Sequence, residues 1–280
     1  MISNYGLLIT GASGFIGSNL LKIAEAEQLD VIGLSRSTQD TKMQKIKSYL
    51  DIDSYVQSNQ ICVHLAGDNN TNSMDDNEIN TLKYLANHYG SRLIYISSSY
   101  VYGYRHTNPI NEKDDTDIIN DYSNRKIDCE KIVLNNSGLI LRLSNVYGPG
   151  MVNNICNHIY REFVNNSGLI NVNNALNIRD FIHVNDICHA IILCIKNLKS
   201  GVYNLSTGTG TTVAELCYLF AKHLKISEDS YKVISETNDD TSIVLDPKKF
   251  CNEFSWKPRV SLSEGVLDWI NKYHNIDIKC

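Results

Sequence analysis

Apolar residues along this chain follow two different spacings. Short, nearly continuous apolar runs predict buried strands, and longer stretches with apolar residues on one helical face predict helices. The two patterns alternate up to about residue 150, which indicates an α/β fold with a Rossmann-type, doubly wound parallel sheet and right-handed crossovers. The predicted strands are 5–10, 31–36, 61–67, 92–99 and 138–148, and the predicted helices between them are 14–27, 77–90 and 121–136.

The pattern changes after Gly150, where polar residues become more frequent between the apolar segments. The polar segment 226–242 is predicted to be a surface loop. The other predicted elements are a helix over 153–167, a short strand near 170, a helix from about Asn185, a strand and a helix within 201–225, and a last helix around Trp269.

Composition narrows the class of protein. The chain has 280 residues, of which 42% are hydrophobic, and a net charge of −5 without a basic run, so we expect no nucleic-acid partner. We also expect no signal peptide and no membrane span, because the first residues lack a basic leader and no apolar run is long enough. The eight cysteines form no metal-binding spacing. We therefore expect reduced thiols, no metal and a cytoplasmic location.

Three glycines, Gly11, Gly14 and Gly17, lie between the first predicted strand and the first predicted helix. Glycine permits a tight turn and leaves room for a diphosphate beside the backbone. The following helix offers unpaired N–H groups and the positive end of its dipole. This setting predicts a loop that binds the diphosphate of a dinucleotide.

At this point the chain resembles the extended short-chain dehydrogenases/reductases, and within them the NAD-dependent epimerase/dehydratase family of nucleotide-sugar enzymes. The resemblance implies a Rossmann domain over 1–205 and a small C-terminal substrate-binding part over 206–280, with 149–175 interleaved. The motifs that carry it run in order along the chain: TGASGFIG (10–17), VHLAG (63–67), ISSSYVYG (96–103), YSNRK (122–126), LRLSNVYGPG (141–150), IRDFIHVNDICHAI (178–191), VYNLSTG (202–208) and FSWKP (254–258).

Tyr122 and Lys126 are four residues apart on a predicted helix and therefore share one face. A free tyrosine is a poor base at neutral pH, but an adjacent lysine ammonium favours the phenolate, which can then exchange a proton with a sugar hydroxyl or carbonyl. The resemblance implies that this pair is catalytic and that the third catalytic residue is Ser98, counted back from Val101-Tyr102-Gly103. The neighbouring Ser97 and Ser99 could shift that alignment by one position.

The cofactor is predicted from the end of the second strand. Ser35 stands where an acidic residue would bind the adenine ribose, and Arg36 follows it, so NADP(H) is favoured and NAD(H) is possible. His64 is interpreted as a packed, hydrogen-bonded histidine. The residues expected to bind the cofactor are Gly11, Ser13, Gly14, Phe15, Ile16, Gly17, Ser35, Arg36, Leu65, Ala66, Gly67, Tyr122 and Lys126.

Substrate residues follow from the resemblance. Asn145 and Arg179 are expected to contact the diphosphate of the substrate, while Asp180 is expected to orient a loop. Ser98, Ser99 and Tyr122 complete the expected substrate site. Members that eliminate water carry an Asp-Glu pair after the catalytic Ser/Thr. Here Ser99 and Tyr100 occupy those positions, which argues against a 4,6-dehydratase.

Together these features favour an NADPH-dependent reductase of a 4-keto(-6-deoxy) nucleotide sugar. The alternatives are a nucleotide-sugar 4-epimerase with tightly bound NAD, reduction of a non-sugar carbonyl, and a non-catalytic dinucleotide sensor, since a fold does not fix a function. The resemblance also implies a homodimer through the helices near 77–90 and 121–136, and a place in polysaccharide biosynthesis. The short segment 67–76 implies either a more open site than in relatives or a cover that comes from the C-terminal part.

Overall fold

A seven-stranded parallel sheet forms the centre of the molecule. The computed structural model describes residues 5–37, 40–48, 52–67, 76–104, 109–151, 154–165, 169–172, 174–235 and 241–277. The strands of the central sheet, all paired in parallel, lie in the order β3–β2–β1–β4–β5–β6–β10. This order confirms the predicted doubly wound α/β class. The strands are β1 (Gly6–Thr10), β2 (Val31–Ser35), β3 (Met43–Lys45), β4 (Gln60–His64), β5 (Leu93–Ser98), β6 (Leu139–Leu143) and β10 (Gly201–Leu205).

Helices cover both faces of this sheet. Alternate residues of β1 show this directly, because Leu7 and Ile9 pack into one core cluster and Leu8 packs into another. The first cluster includes residues of α1 and α5, and the second includes residues of α2 and α3. The helices are α1 (Phe15–Ala26), α2 (Asp76–Tyr89), α3 (Asp121–Asn135), α4 (Ile155–Asn165), α5 (Val184–Lys196), α6 (Val213–Leu224), α7 (Lys248–Phe254) and α8 (Leu262–Asp277).

Shorter strands form a second layer beside the carboxyl ends of the central strands. In this layer β9 pairs with β7, β11 and β13, and β8 pairs with β12. A third core cluster lies under these strands and contains Tyr147, Phe220 and Trp269. These strands are β7 (Asn145–Tyr147), β8 (Leu169–Val172), β9 (Ile178–His183), β11 (Gly210–Thr212), β12 (Lys232–Ser235) and β13 (Ser242–Ile243).

Two predicted elements were wrong. The segment 138–148 is not one strand: after Leu143 the chain leaves the central sheet and continues as β7, whose Asn145 is paired with Phe181 of β9. The segment 226–242 is not only a loop, because Lys232–Ser235 pairs with β8. Both misassignments have the same cause: pairing with distant strands determined the structure of these segments, and their local pattern of polarity did not.

Candidate active site

A cleft of about 680 Å³ opens at the carboxyl ends of the central strands. Ligand sites in doubly wound sheets occur at this edge. The cleft joins the glycine loop at the end of β1 to side chains that follow β5, β6 and β7. Its lining residues are Gly11, Gly14, Phe15, Ile16, Gly17, Leu65, Gly67, Ile96, Ser97, Ser98, Ser99, Tyr100, Tyr122, Lys126, Leu143, Ser144, Asn145, Val146, Tyr147, Met151, Asn154, Ile155, Cys156 and Phe181.

The glycine loop is packed too tightly for side chains at two positions. Gly11 has a φ of +70°, and a Cβ atom there would lie 2.7 Å from the backbone nitrogen of Ala66. A Cβ on Gly17 would lie 2.8 Å from Cα of Ala12. Gly14 is the N-cap of α1, and no side chain caps that helix end. The loop therefore leaves the first N–H groups of α1 accessible from the cleft.

Two serines connect this loop to the end of β2. The Ser13 hydroxyl lies 2.5 Å from the Ser35 hydroxyl, which also accepts a hydrogen bond from the backbone N–H of Ser37 at 3.2 Å. Ser35 is buried, whereas Ser13 and Arg36 are exposed. Among the described residues 31–37 there is no carboxylate.

The three consecutive serines have different surroundings. Ser97 is buried and donates to Oε1 of Glu130 at 2.6 Å, and Glu130 also accepts from Arg142. Ser98 ends β5, is partly exposed in the cleft, and accepts from the backbone N–H of Tyr100 at 3.2 Å. Of the three serines, Ser98 is the most exposed at the cleft, and its catalytic role stays a prediction.

Tyr122 and Lys126 both face the cleft from α3. The helix begins with a capping box, in which Asn120 accepts from the backbone N–H of Ser123 at 2.8 Å and Ser123 accepts from that of Asn120 at 3.2 Å. Tyr122 therefore lies in the first turn and Lys126 one turn later. The Lys126 ammonium is 5.7 Å from the centre of the Tyr122 ring. The sequence pattern thus predicted their shared face correctly.

The Lys126 ammonium has three hydrogen-bond acceptors. They are the Tyr95 hydroxyl at 3.0 Å, Oε1 of Glu78 at 3.4 Å and the Ile96 carbonyl at 3.4 Å. Burial raises the pKa of Tyr95 well above its ordinary value, so its hydroxyl stays neutral. Sequence reasoning missed Glu78 and Tyr95, because neither belongs to a motif on which the resemblance rests.

Tyr100 and Asn145 line the cleft together with Ser98 and Ser99. The Tyr100 ring meets the Tyr122 ring edge to face, with centroids 6.3 Å apart. Asn145 is partly exposed in the cleft at the start of β7. Ser99 lines the cleft but is 2% exposed.

Arg179 and Asp180 are neighbours in β9, but they have different hydrogen-bond partners. Arg179 does not line the cleft: its guanidinium donates to the Thr241 carbonyl at 2.8 Å and to the Thr241 hydroxyl at 2.7 Å. Burial lowers the pKa of Arg179. Asp180 is buried and accepts from the hydroxyl and the N–H of Thr207 and from the N–H of Gly208. It orients the loop after β10, as expected.

Few of the residues that line the cleft can carry a charge. Within the described part of the chain, Lys126 is the only charged residue of the lining, and no carboxylate belongs to it. Burial raises the pKa of the Cys156 thiol in the lining to about 12, so this cysteine is not a thiolate at neutral pH. The cleft therefore offers proton transfer through hydroxyl groups, beside an ammonium that is paired with Glu78. The segment 67–76, whose shortness is the basis of an expectation about the openness of the site, falls mostly outside the described residues.

Comparison with known proteins identifies the family. The model of the NAD dependent epimerase/dehydratase family matches residues 7–206, and the chain belongs to this family, as the sequence motifs predict. A Methanocaldococcus jannaschii protein named "Putative UDP-glucose 4-epimerase" is 25% identical over 302 aligned positions, which cover 96% of this chain and 98% of the relative.

Solved structures share the fold at lower identity. The dTDP-glucose 4,6-dehydratase of Bacillus anthracis in complex with NAD has a TM-score of 0.83 and 20% identity, with 97% of both chains covered. The UDP-glucose 4-epimerase of Thermotoga maritima with UDP-glucose has a TM-score of 0.83 and 21% identity, with 97% of this chain and 99% of that chain covered.

Two kinds of feature are absent from the described residues. In the described ranges, no helix is long and apolar enough to cross a membrane. The same part of the chain contains no group of three His, Cys, Asp or Glu side chains that could hold a metal ion.

Proposed function

We propose that the protein is a nicotinamide-dinucleotide-dependent oxidoreductase that acts on a hydroxyl or ketone of a nucleotide sugar. The observation that carries this proposal is the presence of Ser98, Tyr122 and Lys126 in one cleft with an uncapped glycine loop. A dinucleotide sensor would have no use for this set of hydroxyls beside a buried ammonium. A substrate without a diphosphate would leave Asn145, which lines the cleft, without its expected role.

The described residues fit a dinucleotide. Gly11 and Gly17 have no room for a Cβ, and Gly14 leaves the N-terminus of α1 accessible, which suits a diphosphate. When bound, the nicotinamide accepts or donates the hydride of the redox reaction. Leu65 and Gly67, after β4, line the same cleft as the loop glycines, so they would also help to hold the cofactor.

The chain's own residues would handle the proton. The Tyr122 hydroxyl would donate a proton to the reacting oxygen during reduction and take it back during oxidation. The Ser98 hydroxyl would hydrogen-bond the same oxygen and orient it. The Lys126 ammonium would favour the phenolate form by its positive charge. Elimination of water is disfavoured, because Ser99 and Tyr100 supply no carboxylate beside Ser98.

A reductase that uses NADPH is the form we propose first. Arg36 is exposed at the end of β2, and the described residues there include no carboxylate that would repel a 2′-phosphate. The expected substrate is a 4-keto(-6-deoxy) nucleotide sugar, with Asn145 and, after release from Thr241, Arg179 near its diphosphate. A homodimer through α2 and α3 stays a prediction.

A 4-epimerase is the second candidate. It is supported by the name of the Methanocaldococcus jannaschii relative, whose alignment with this chain covers nearly the whole of both proteins. It is also supported by the fold shared with a UDP-glucose 4-epimerase. An epimerase returns the same hydride to its substrate, so it would retain NAD instead of exchanging NADPH.

The first experiment determines the nucleotide. Mass spectrometry of the denatured, purified protein identifies any retained nucleotide, and fluorescence titration compares NADPH with NADH. Exchangeable binding with an NADPH preference supports the reductase, and assays with 4-keto nucleotide sugars follow. Tightly retained NAD⁺ without an NADPH preference would overturn the reductase and make the interconversion of UDP-glucose and UDP-galactose the next assay.

The second experiment tests the proton donor. Tyr122→Phe should lower turnover by at least about 100-fold while NADPH still binds, because only the proton transfer is removed. Tyr218→Phe is the matched control on α6, where the tyrosine is exposed and outside the cleft. Full turnover by Tyr122→Phe would disprove the proposed role and favour a sensor.

A further inference from the structure

A buried charge cluster lies directly behind the catalytic face of α3. Glu78 of α2 contacts Lys126 at 3.4 Å and the Nε of Arg125 at 3.1 Å. The three side chains are 6%, 10% and 9% exposed, so solvent screens their charges weakly. One carboxylate therefore compensates two adjacent cations in a space nearly closed to water.

Glu78 also reaches the edge of the cleft. A Cβ atom on Gly67 would lie 3.3 Å from Oε1 of Glu78 and 3.6 Å from Nζ of Lys126. The same carboxylate oxygen thus contacts the ammonium and lies against the backbone that follows β4. Because an ammonium has three N–H donors, the acceptors on Tyr95, Glu78 and Ile96 use all of them and fix its position.

We propose that Glu78 is a positioning residue of this site: it holds the Lys126 ammonium in place and limits how strongly its positive charge acts on the Tyr122 hydroxyl. The inference rests on the proposed function, because it gives Glu78 a role only through Lys126 and Tyr122. Arg125 takes part by sharing the carboxylate, so the balance among the three charges sets the potential at the phenol.

Other titratable groups also face this cluster. They are Cys129 from α3, Tyr95 from β5 and His64 from β4, and burial disfavours the charged form of each. Glu78 is therefore the one negative charge among the described groups in contact with Lys126.

The test measures the titration of Tyr122 directly, without substrate. Labelling with ¹³Cζ-tyrosine gives one NMR resonance for each of the 16 tyrosines. The resonance of Tyr122 is the one that disappears in the variant Tyr122→Phe. Glu78→Gln removes the negative charge but keeps an oxygen near Lys126. The midpoint of the Tyr122 resonance should fall by about one pH unit, because the phenolate is then favoured more strongly.

A second variant should shift the midpoint of the Tyr122 resonance in the opposite direction. Arg125→Gln removes a positive charge and leaves Glu78 to Lys126 alone, so the midpoint should rise. Asp128→Asn is the matched control, because it removes a carboxylate from the same helix that is 43% exposed and paired with Lys131. It should leave the midpoint unchanged within a few tenths of a unit, because solvent screens it.

The outcomes separate the two proposals. Opposite shifts in Glu78→Gln and Arg125→Gln support the positioning role, and unchanged midpoints in both would overturn it. If Glu78→Gln does not fold, Glu78→Asp replaces it, and its shorter side chain should give a smaller fall of the same sign. Failure of the proposed function would be recognised in a different experiment, the turnover assay, in which Tyr122→Phe would then keep full activity.

Discussion

The hydroxyl of Ser13 in the glycine loop lies 2.5 Å from the hydroxyl of Ser35 at the end of β2. This contact joins the glycine loop, where the cleft fits a diphosphate, to the end of β2, where an adenine ribose is recognised in related folds. Ser35 is buried and already has two partners, so its hydroxyl holds the loop in place. Among these residues, the exposed Arg36 is then the main candidate for recognition of a 2′-phosphate.

Removal of that guanidinium should change the cofactor preference. Arg36→Ser is expected to weaken NADPH binding by about tenfold and to leave NADH binding within a factor of about two, because only the phosphate contact is lost. Fluorescence titration with both nucleotides measures the two affinities. Lys22→Ser, which removes an exposed cation from α1, is the control for net charge. Equal weakening of both nucleotides by Arg36→Ser would contradict the assignment.

Substitution of the loop glycines should separate folding from binding. Gly17→Ala forces a Cβ against Cα of Ala12 and is expected to lower the free energy of unfolding by about 1–3 kcal/mol. Gly14→Ala meets a single backbone oxygen at 3.2 Å and should fold nearly normally. Its methyl group faces the accessible end of α1, so nucleotide binding should still weaken.

Urea denaturation and nucleotide titration check this pair of variants together. The expected result is that Gly17→Ala loses stability and Gly14→Ala loses affinity. Two variants with equal stability would show that the packing around Gly17 adapts, and unchanged affinity in Gly14→Ala would place the diphosphate elsewhere.

The central sheet and the Tyr122–Lys126 pair could be predicted because local patterns encode them. The continuous apolar run of β1 and the four-residue spacing on α3 are visible in the sequence without knowledge of distant contacts. The same holds for Gly17, where the lack of a side chain reflects close packing against Ala12 within one strand–turn–helix unit, whereas Gly11 packs against Ala66, which follows β4.

The parts that could not be predicted depend on contacts between distant segments. Glu78 is one polar residue in a polar stretch, and its role appears only when α2 packs on α3 and brings it to Lys126. The departure of β7 from the central sheet depends on its pairing with β9. Arg179 was expected near a diphosphate, but in this structure Thr241 accepts its hydrogen bonds.

Acid should destabilise the protein through a buried histidine. His64 is 1% exposed, and its Nδ1 lies 2.7 Å from the hydroxyl of Thr10. Burial, with a smaller effect from Lys126, lowers the pKa of His64 to about 3. Because the unfolded chain binds this proton near pH 6.5, the stabilising contribution is complete above that pH and decreases as the pH falls toward 3.

The variant His64→Asn isolates this contribution. Between pH 7 and pH 5 the wild-type protein should lose about 2 kcal/mol more of its free energy of unfolding than the variant does. Urea denaturation at several pH values measures the difference, and His88→Asn, which replaces an exposed histidine of α2, is the control. Burial also lowers the pKa of His183, so both proteins keep part of the acid sensitivity. Parallel pH profiles for wild type and His64→Asn would mean that His64 is protonated in the folded protein.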